Sequence, residues 1–169
     1  MAIEVGKPFP EGFAFSYVPY DEEDQKNKLS CKIPILFKLT PEKLAGQKIV
    51  ITSAPGAFTP TCTLSHIPGY ISKADEFASK GAKVFVITQD SAFVNAAWGK
   101  LLGQKPPIEF ASDTAAAFSK HIGWIIQKGD VTLTGRYTII VEDGIVTYAE
   151  IEKGGDVTVS SADAALAKL

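Results

Sequence analysis

Apolar residues recur at spacings of three and four from Thr61 to Lys80, through Leu64, Ile67, Ile71, Ala74, Phe77 and Ala78. That spacing predicts a helix with one buried face. Pro68 falls inside it and predicts a kink or break, because proline lacks the N–H that a helix interior uses. Gly81 closes the stretch. The same spacing returns from Ser91 to Leu102, in Phe93, Val94, Ala97, Trp98 and Leu101, with Gly103 as the stop. Asp113 is placed to cap a further helix that contains Phe118 and ends at Gly123, and Ser160-Ser161-Ala162-Asp163 opens an amphipathic helix at the C-terminus. Thr40-Pro41-Glu42-Lys43-Leu44 predicts a short helix, capped by Thr40 and with Pro41 in first position.

Strand patterns alternate with these helices. Ile49-Val50-Ile51 and Val84-Phe85-Val86-Ile87-Thr88 are continuous apolar runs, as expected of strands covered on both faces. Ile108-Glu109-Phe110-Ala111 is a further short strand. Phe13, Phe15 and Tyr17 alternate weakly with polar residues and predict one or two N-terminal strands. Tyr137 to Val141 and Ile145 to Ile151 flank Asp143-Gly144, a two-residue hairpin signal. Asp21 to Lys28 is expected to be a charged, solvated loop. Phe58, Phe93, Phe118 and Trp124 are expected in the core, unless some of them line an apolar mouth. The order is β-β-α, then β-α-β-α-β, then a hairpin and a helix. It predicts an α/β fold with a central mixed sheet flanked by helices, in one domain over residues 1–169.

Composition narrows the function. The chain has 169 residues, 46% hydrophobic and 21% charged, enough for one full core. A net charge of −2 offers no electrostatic case for nucleic acid or an anionic membrane as partner. No apolar run has the length of a membrane span, and Met1-Ala2-Ile3-Glu4 does not read as a signal peptide, so a cytoplasmic protein is expected. Two cysteines in a reducing compartment then point to redox chemistry or a metal rather than a structural staple. Cys31, Cys62, His66 and His121 match no zinc spacing, so neither metal nor cofactor is expected.

Cys62 carries the chemistry. It ends the run Pro55-Gly56-Ala57-Phe58-Thr59-Pro60-Thr61-Cys62, between an apolar strand and a helical segment. The free N–H groups and dipole of a helix start favour thiolate over thiol. The alternative is a buried, inert cysteine, which the flanking threonines and prolines argue against. Ionisation alone is a small advantage: a thiol is a few per cent ionised at neutral pH, so full ionisation raises the thiolate roughly ten- to thirty-fold. A fast reaction needs transition-state donors as well. Thr59 has a hydroxyl three residues before Cys62. Arg136 is the single arginine among 17 basic residues and offers fixed donors with a permanent charge. His66, four residues after Cys62, could tune the thiolate, but a half-buried histidine in a structural hydrogen bond is the expected role. A thiolate beside such donors suits peroxide reduction, in which a sulfenic acid forms and condenses with a second thiol, for which Cys31 is the candidate.

The pattern Pro55-x-x-x-Thr59-x-x-Cys62 resembles the active-site motif of the peroxiredoxins, thiol peroxidases on a thioredoxin-like fold. The run from Pro55, with Ser65-His66-Ile67-Pro68-Gly69-Tyr70 after it, is similar to the peroxiredoxin-five branch and its fungal alkyl hydroperoxide reductases. Ala97-Trp98-Gly99-Lys100, Phe110-Ala111-Ser112-Asp113, Ser119-Lys120-His121-Ile122-Gly123 and Gly135-Arg136-Tyr137 extend the likeness along nearly the whole chain. The resemblance implies that Cys62 is the peroxidatic cysteine, that Thr59 and Arg136 bond the sulfur and the peroxide oxygens, and that Pro55 shields the site. It implies that Cys31 is the resolving cysteine, pairing with Cys62 of the other subunit of a homodimer, and that thioredoxin reduces the disulfide. Two other roles compete: a redox sensor, relay or holdase, and a general disulfide oxidoreductase. The latter wants Cys-x-x-Cys, and Thr59 stands where its first cysteine would be. The C-terminal Ala167-Lys168-Leu169 is similar to a Ser-Lys-Leu peroxisomal address, which adds peroxisomes as a second possible location.

Overall fold

The structure, a computed structural model, describes residues 2–169. Its seven-stranded sheet is built from β1 (Ala14–Tyr17), β2 (Ile35–Lys38), β3 (Lys48–Ser53), β4 (Ala82–Thr88), β5 (Ile108–Ser112), β8 (Tyr137–Glu142) and β9 (Ile145–Ile151). The strand order is β2-β1-β5-β4-β3-β8-β9. β3, β4 and β5 run parallel in the centre, and β1 and β8 add to them antiparallel. The sheet is therefore mixed, as the element order predicts.

Each central strand divides its apolar residues between two cores. Ile49 and Ile51 face a cluster with Phe9, Phe15, Phe85 and Phe118. Val50, Val84 and Val86 face another with Tyr70, Phe77 and Trp98. Side chains alternate across a strand, so one continuous apolar run serves both faces. The second core is covered by α3 (Ile67–Ser72), α4 (Ala74–Ser79), α5 (Ala92–Leu102) and α7 (Ala162–Leu166), and the first by α6 (Ala117–Ile122) and the N-terminal segment. Ser91 caps α5 by accepting from Val94 N, and left-handed Gly103 ends it. Asp113 caps α6 by accepting from Phe118 N and Ser119 N.

Several local expectations change. Residues 21–28 are not a plain loop: Asp21 accepts from Asp24 N and starts the helical turn α1 (Glu22–Lys26). In α2 (Pro41–Leu44) Pro41 stands at the start as expected, but Thr40 makes no side-chain capping bond. The long helix expected from Thr61 breaks between α3 and α4, at Lys73, and not at Pro68. Pro68 acts one turn earlier. It has no N–H for the Leu64 carbonyl, and its ring crowds that carbonyl, so the preceding turn widens into a π-turn over Cys62–His66. Phe58 and Phe93 are surface residues, while Phe118 is in the core and Trp124 is half-buried. A separate hairpin, β6 (Ile125–Lys128) with β7 (Val131–Thr134), adds to the elements expected, and Gly129-Asp130 is its turn signal.

Gly99 of α5 marks how closely that helix lies on the sheet. A Cβ there would come within 2.7 Å of the Phe110 ring and 2.8 Å of Gln104 Oε1. In an open helix, alanine in place of glycine stabilises by about 1 kcal/mol. Overpacking opposes this by about 1–3 kcal/mol, and the Phe110 ring it meets is buried. Gly99→Ala is expected to lower the unfolding free energy by up to about 2 kcal/mol in urea melts. A gain in stability would show that α5 can lift without cost.

Candidate active site

Sheet register brings the site together. β3 and β8 pair antiparallel with Thr52 opposite Thr138 and Ser53 opposite Tyr137. The end of β3 therefore lies beside the start of β8. The chain after Ser53 becomes the loop from Pro55 to Thr59 and turns helical at Pro60, and Arg136 is the residue before β8. Cys62 and Arg136, 74 residues apart, meet for this reason, with Arg136 Nη2 donating to Cys62 Sγ at 3.5 Å. Both side chains are buried.

The loop is held from below. Ala57 N donates to Asp90 Oδ2 at 2.8 Å, and Thr88 Oγ1 donates to the same oxygen at 2.9 Å. Thr59 Oγ1 donates to the Gly56 carbonyl at 2.7 Å. Its hydrogen is thus committed, and its lone pairs are left to accept from a ligand. Phe58 sits at φ 59°, a left-handed conformation that a bulky side chain seldom adopts. Cys62 follows as the first residue of the π-turn.

Arg136 is fixed by His66. Nη1 donates to His66 Nδ1 at 3.0 Å, and since a guanidinium cannot accept, Nδ1 carries no proton. His66 Nε2–H donates to the Ser160 carbonyl at 3.0 Å, with Thr52 Oγ1 at 3.2 Å from the same nitrogen. Burial, then the Arg136 charge, holds the His66 pKa down to about 4. The imidazole is therefore neutral at physiological pH, which keeps Nδ1 free to accept. The Ser160 carbonyl also takes Tyr70 OH at 2.8 Å and Thr138 Oγ1 at 3.2 Å. Ser160 in turn hangs on Glu152, whose carboxylate accepts from Ser160 N and Oγ and from Thr158 N and Oγ1. Burial pushes Glu152 up, but these bonds together bring it below the usual carboxylate range.

Pro55, Thr59, Cys62 and Arg136 line one cavity of ≈ 770 Å³, whose other walls include Ile125, Ile126, Leu133 and Ile151. None of Phe58, Phe93, Phe118 and Trp124 lines it; the apolar wall comes from the β6–β7 hairpin and β9. Arg136 Nε is buried and has no hydrogen-bond partner. A guanidinium that lines the cavity beside a thiol suits a ligand that brings acceptor oxygens. Cys31 is not part of this cavity. It is half-buried in a separate hollow of ≈ 290 Å³ beside Phe93, Ala97 and Lys100. Both cysteines are free thiols. No cluster of His, Cys, Asp and Glu among the described residues is arranged to hold a metal ion. His66 makes the expected structural hydrogen bond, but its partner is the guanidinium over Cys62. Asp90, Glu152 and the Ser160 carbonyl had no sequence signal that tied them to the cysteine.

His66 gives a pH-dependent stability. Its folded pKa of about 4 lies below the unfolded value of about 6.5. Between the two, the unfolded chain binds more protons, so stability is full above about pH 6.5 and falls as pH drops toward 4. The loss is on the order of 3 kcal/mol. In His66→Gln, which does not titrate there, the difference in urea stability between pH 7 and pH 4.5 is expected to shrink by a comparable amount. An unchanged difference would show that His66 does not titrate with folding.

Comparison with known proteins agrees with this geometry. The Redoxin family model matches residues 4–166. The chain is similar to the peroxiredoxin Pen c 3 of Penicillium citrinum, 40% identical over all of both chains. A peroxisomal peroxiredoxin of Lipomyces kononenkoae is 39% identical, covering 95% of this chain and 98% of that one. Among solved structures, reduced Prx3 of Vibrio vulnificus in complex with H2O2 superposes with a TM-score of 0.81, at 30% identity and 98% coverage of both chains. The mixed sheet flanked by helices is the thioredoxin-like fold of such structures. The chain belongs to the redoxin family, as a peroxiredoxin.

Proposed function

We propose that this protein is a two-cysteine, thioredoxin-dependent peroxidase for hydrogen peroxide and organic hydroperoxides, working as a one-domain chain in a homodimer. The observation that carries this reading is the buried guanidinium of Arg136, which lines the same cavity as Cys62 and donates from Nη2 to Cys62 Sγ at 3.5 Å.

In this mechanism the Cys62 thiolate attacks the terminal oxygen of R–O–O–H. An S–O bond forms and the O–O bond breaks, giving Cys62–S–OH and RO⁻, which takes a proton to leave as ROH. Arg136 stabilises the charge on the departing oxygen, and Thr59 accepts from the peroxide O–H. Pro55 covers the loop side of the sulfur. Cys31 then attacks the sulfenic sulfur: the S–S bond forms, the S–O bond breaks, and water leaves. Thioredoxin supplies two electrons and two protons to restore both thiols. The apolar walls of Ile125, Ile126, Leu133 and Ile151 support organic hydroperoxides as substrates.

The two sulfurs line different hollows, and a disulfide requires Cα atoms within about 7 Å. That separation supports pairing between two chains. Phe58, Leu64, Phe93 and Leu101 are exposed, at 51%, 77%, 56% and 64%, and supply apolar side chains that a second copy could cover. Cys62 must also emerge from burial, so the π-turn is expected to unwind; crystals of reduced and disulfide forms should differ around residues 59–66. The proposed location is the cytoplasm, with peroxisomal import through Ala167-Lys168-Leu169 as the second. A fluorescent reporter carrying this tail, with and without Leu169, tests the latter. In the folded chain Leu169 packs on the core and its carbonyl accepts from Lys80 Nζ.

Peroxide consumption with thioredoxin tests the assignment. Cys62→Ser is expected to be inactive. Arg136→Met is expected to slow oxidation of Cys62 by about 10²–10³-fold, as loss of a transition-state donor does. Cys31→Ser should form sulfenic acid once but not turn over with thioredoxin, and should lose the dimer-sized band that the oxidised wild type gives on a non-reducing gel. Full activity of Cys62→Ser would refute the peroxidase site, and normal turnover of Cys31→Ser would refute the resolving role alone.

A further inference from the structure

Helix α5 holds both cysteine segments. Trp98 Nε1 donates to Thr63 Oγ1 at 3.2 Å, one residue after Cys62. Two residues further along, Lys100 is buried, and its Nζ donates to the carbonyls of Ser30 at 2.7 Å and Asn27 at 3.0 Å. The same nitrogen lies 3.0 Å from Asp24 Oδ2, with side-chain exposures of 3% and 8% for the pair. Ser30 is the residue before Cys31. Lys28 Nζ returns to the Lys100 carbonyl at 3.1 Å.

Apart from Lys100, the Cys31 segment is tied mainly within itself, where Asn27 Oδ1 accepts from Leu29 N at 3.1 Å and from Ser30 N at 3.2 Å. Leu29 and Ile33 on either side are 99% and 84% exposed, so no apolar anchor fixes the stretch. Asp21 pairs with Lys32 at 2.7 Å, but that pair is exposed, and exposed pairs hold weakly. A buried ammonium that donates to two carbonyls and lies 3.0 Å from a buried carboxylate oxygen is different. Removing it strands a buried carboxylate and two carbonyls.

We infer that Lys100 is a positioning residue for the resolving step: it anchors the backbone before Cys31 to α5, and so sets how fast Cys31 captures the Cys62 sulfenic acid. The inference rests on Cys31 being the resolving cysteine. An anchored loop end keeps the thiol in a small volume near its target, and a free one dilutes it. Slower capture leaves the sulfenic acid exposed to a second peroxide. That peroxide adds an oxygen to the sulfur as its own O–O bond breaks, giving sulfinic acid and ROH.

The test is rapid-mixing tryptophan fluorescence on full-length reduced protein with a hydroperoxide, with mass spectrometry for sulfinic acid. Trp98 bonds beside Cys62 and serves as reporter. Lys100→Met keeps the length of the side chain and removes its three donors. The phase that scales with peroxide concentration is expected to stay within about twofold, and the concentration-independent resolving phase to slow about tenfold. The peroxide dose for half overoxidation should fall in parallel. Lys100→Gln, which leaves a polar donor beside Asp24, is the second variant in case Lys100→Met does not fold, and is expected to slow resolution at least about threefold. A resolving phase that is unchanged or faster in the folded variants overturns the inference. Cys31→Ser in the same experiment separates the two readings: if it keeps the resolving phase, the Cys31 assignment fails, whatever Lys100 does.

Discussion

A guanidinium taken out of water must find acceptors, and much of this site is arranged around that requirement. Arg136 is buried between Cys62 Sγ and His66 Nδ1. A sulfur and a neutral ring nitrogen are weak partners for a full positive charge, and Nε has none. The arrangement leaves unspent donor capacity beside the cysteine, where a peroxide oxygen would gain negative charge. It also demands that His66 stay neutral, since a second cation there would remove the acceptor and repel the first. Burial and the arginine itself secure this by holding the imidazole near pKa 4.

The support reaches outward in layers that are not themselves reactive. His66 Nε2 leans on the Ser160 carbonyl, which Tyr70 and Thr138 also approach. Glu152 gathers the Thr158–Ser160 segment with four bonds to one carboxylate. Its own backbone N–H donates to the Arg136 carbonyl, so the two ends of the chain of contacts close on each other. On the other side of the cysteine, Asp90 holds the loop through Ala57 N. The Cys62 segment is thereby fixed firmly at its base. The π-turn that carries the sulfur is the part whose hydrogen bonding departs from the regular helix, and Pro68 is why.

Much of the architecture was legible because its signals are local. A continuous run such as Val84–Thr88 reports burial on both faces wherever it occurs, and Asp143-Gly144 bends a chain without help from distant residues. Less local features misled. Phe58 and Phe93 are apolar, but whether an aromatic is inside depends on what packs over it, and both keep about half their surface exposed. Asp24 belongs to a run of charges that looks solvated, yet Lys100 draws it into a buried pair. The break expected at Pro68 became a wider turn before it, because the missing hydrogen bond lies on its N-terminal side.

The sequence by itself determined the alternating elements, the mixed α/β architecture and the cysteine motif, since each is written in residues close together along the chain. The pairing of Arg136 with His66 and of His66 with Ser160 spans 70 and 94 residues. Only the antiparallel register of β3 against β8, with Thr52 opposite Thr138, brings those groups to one place. The Ser160 contact uses a backbone carbonyl, which every residue has, so no side-chain pattern could announce it. Tertiary structure decided which donors surround Cys62, because the burial that forces those groups to partner one another exists only once the sheet has formed.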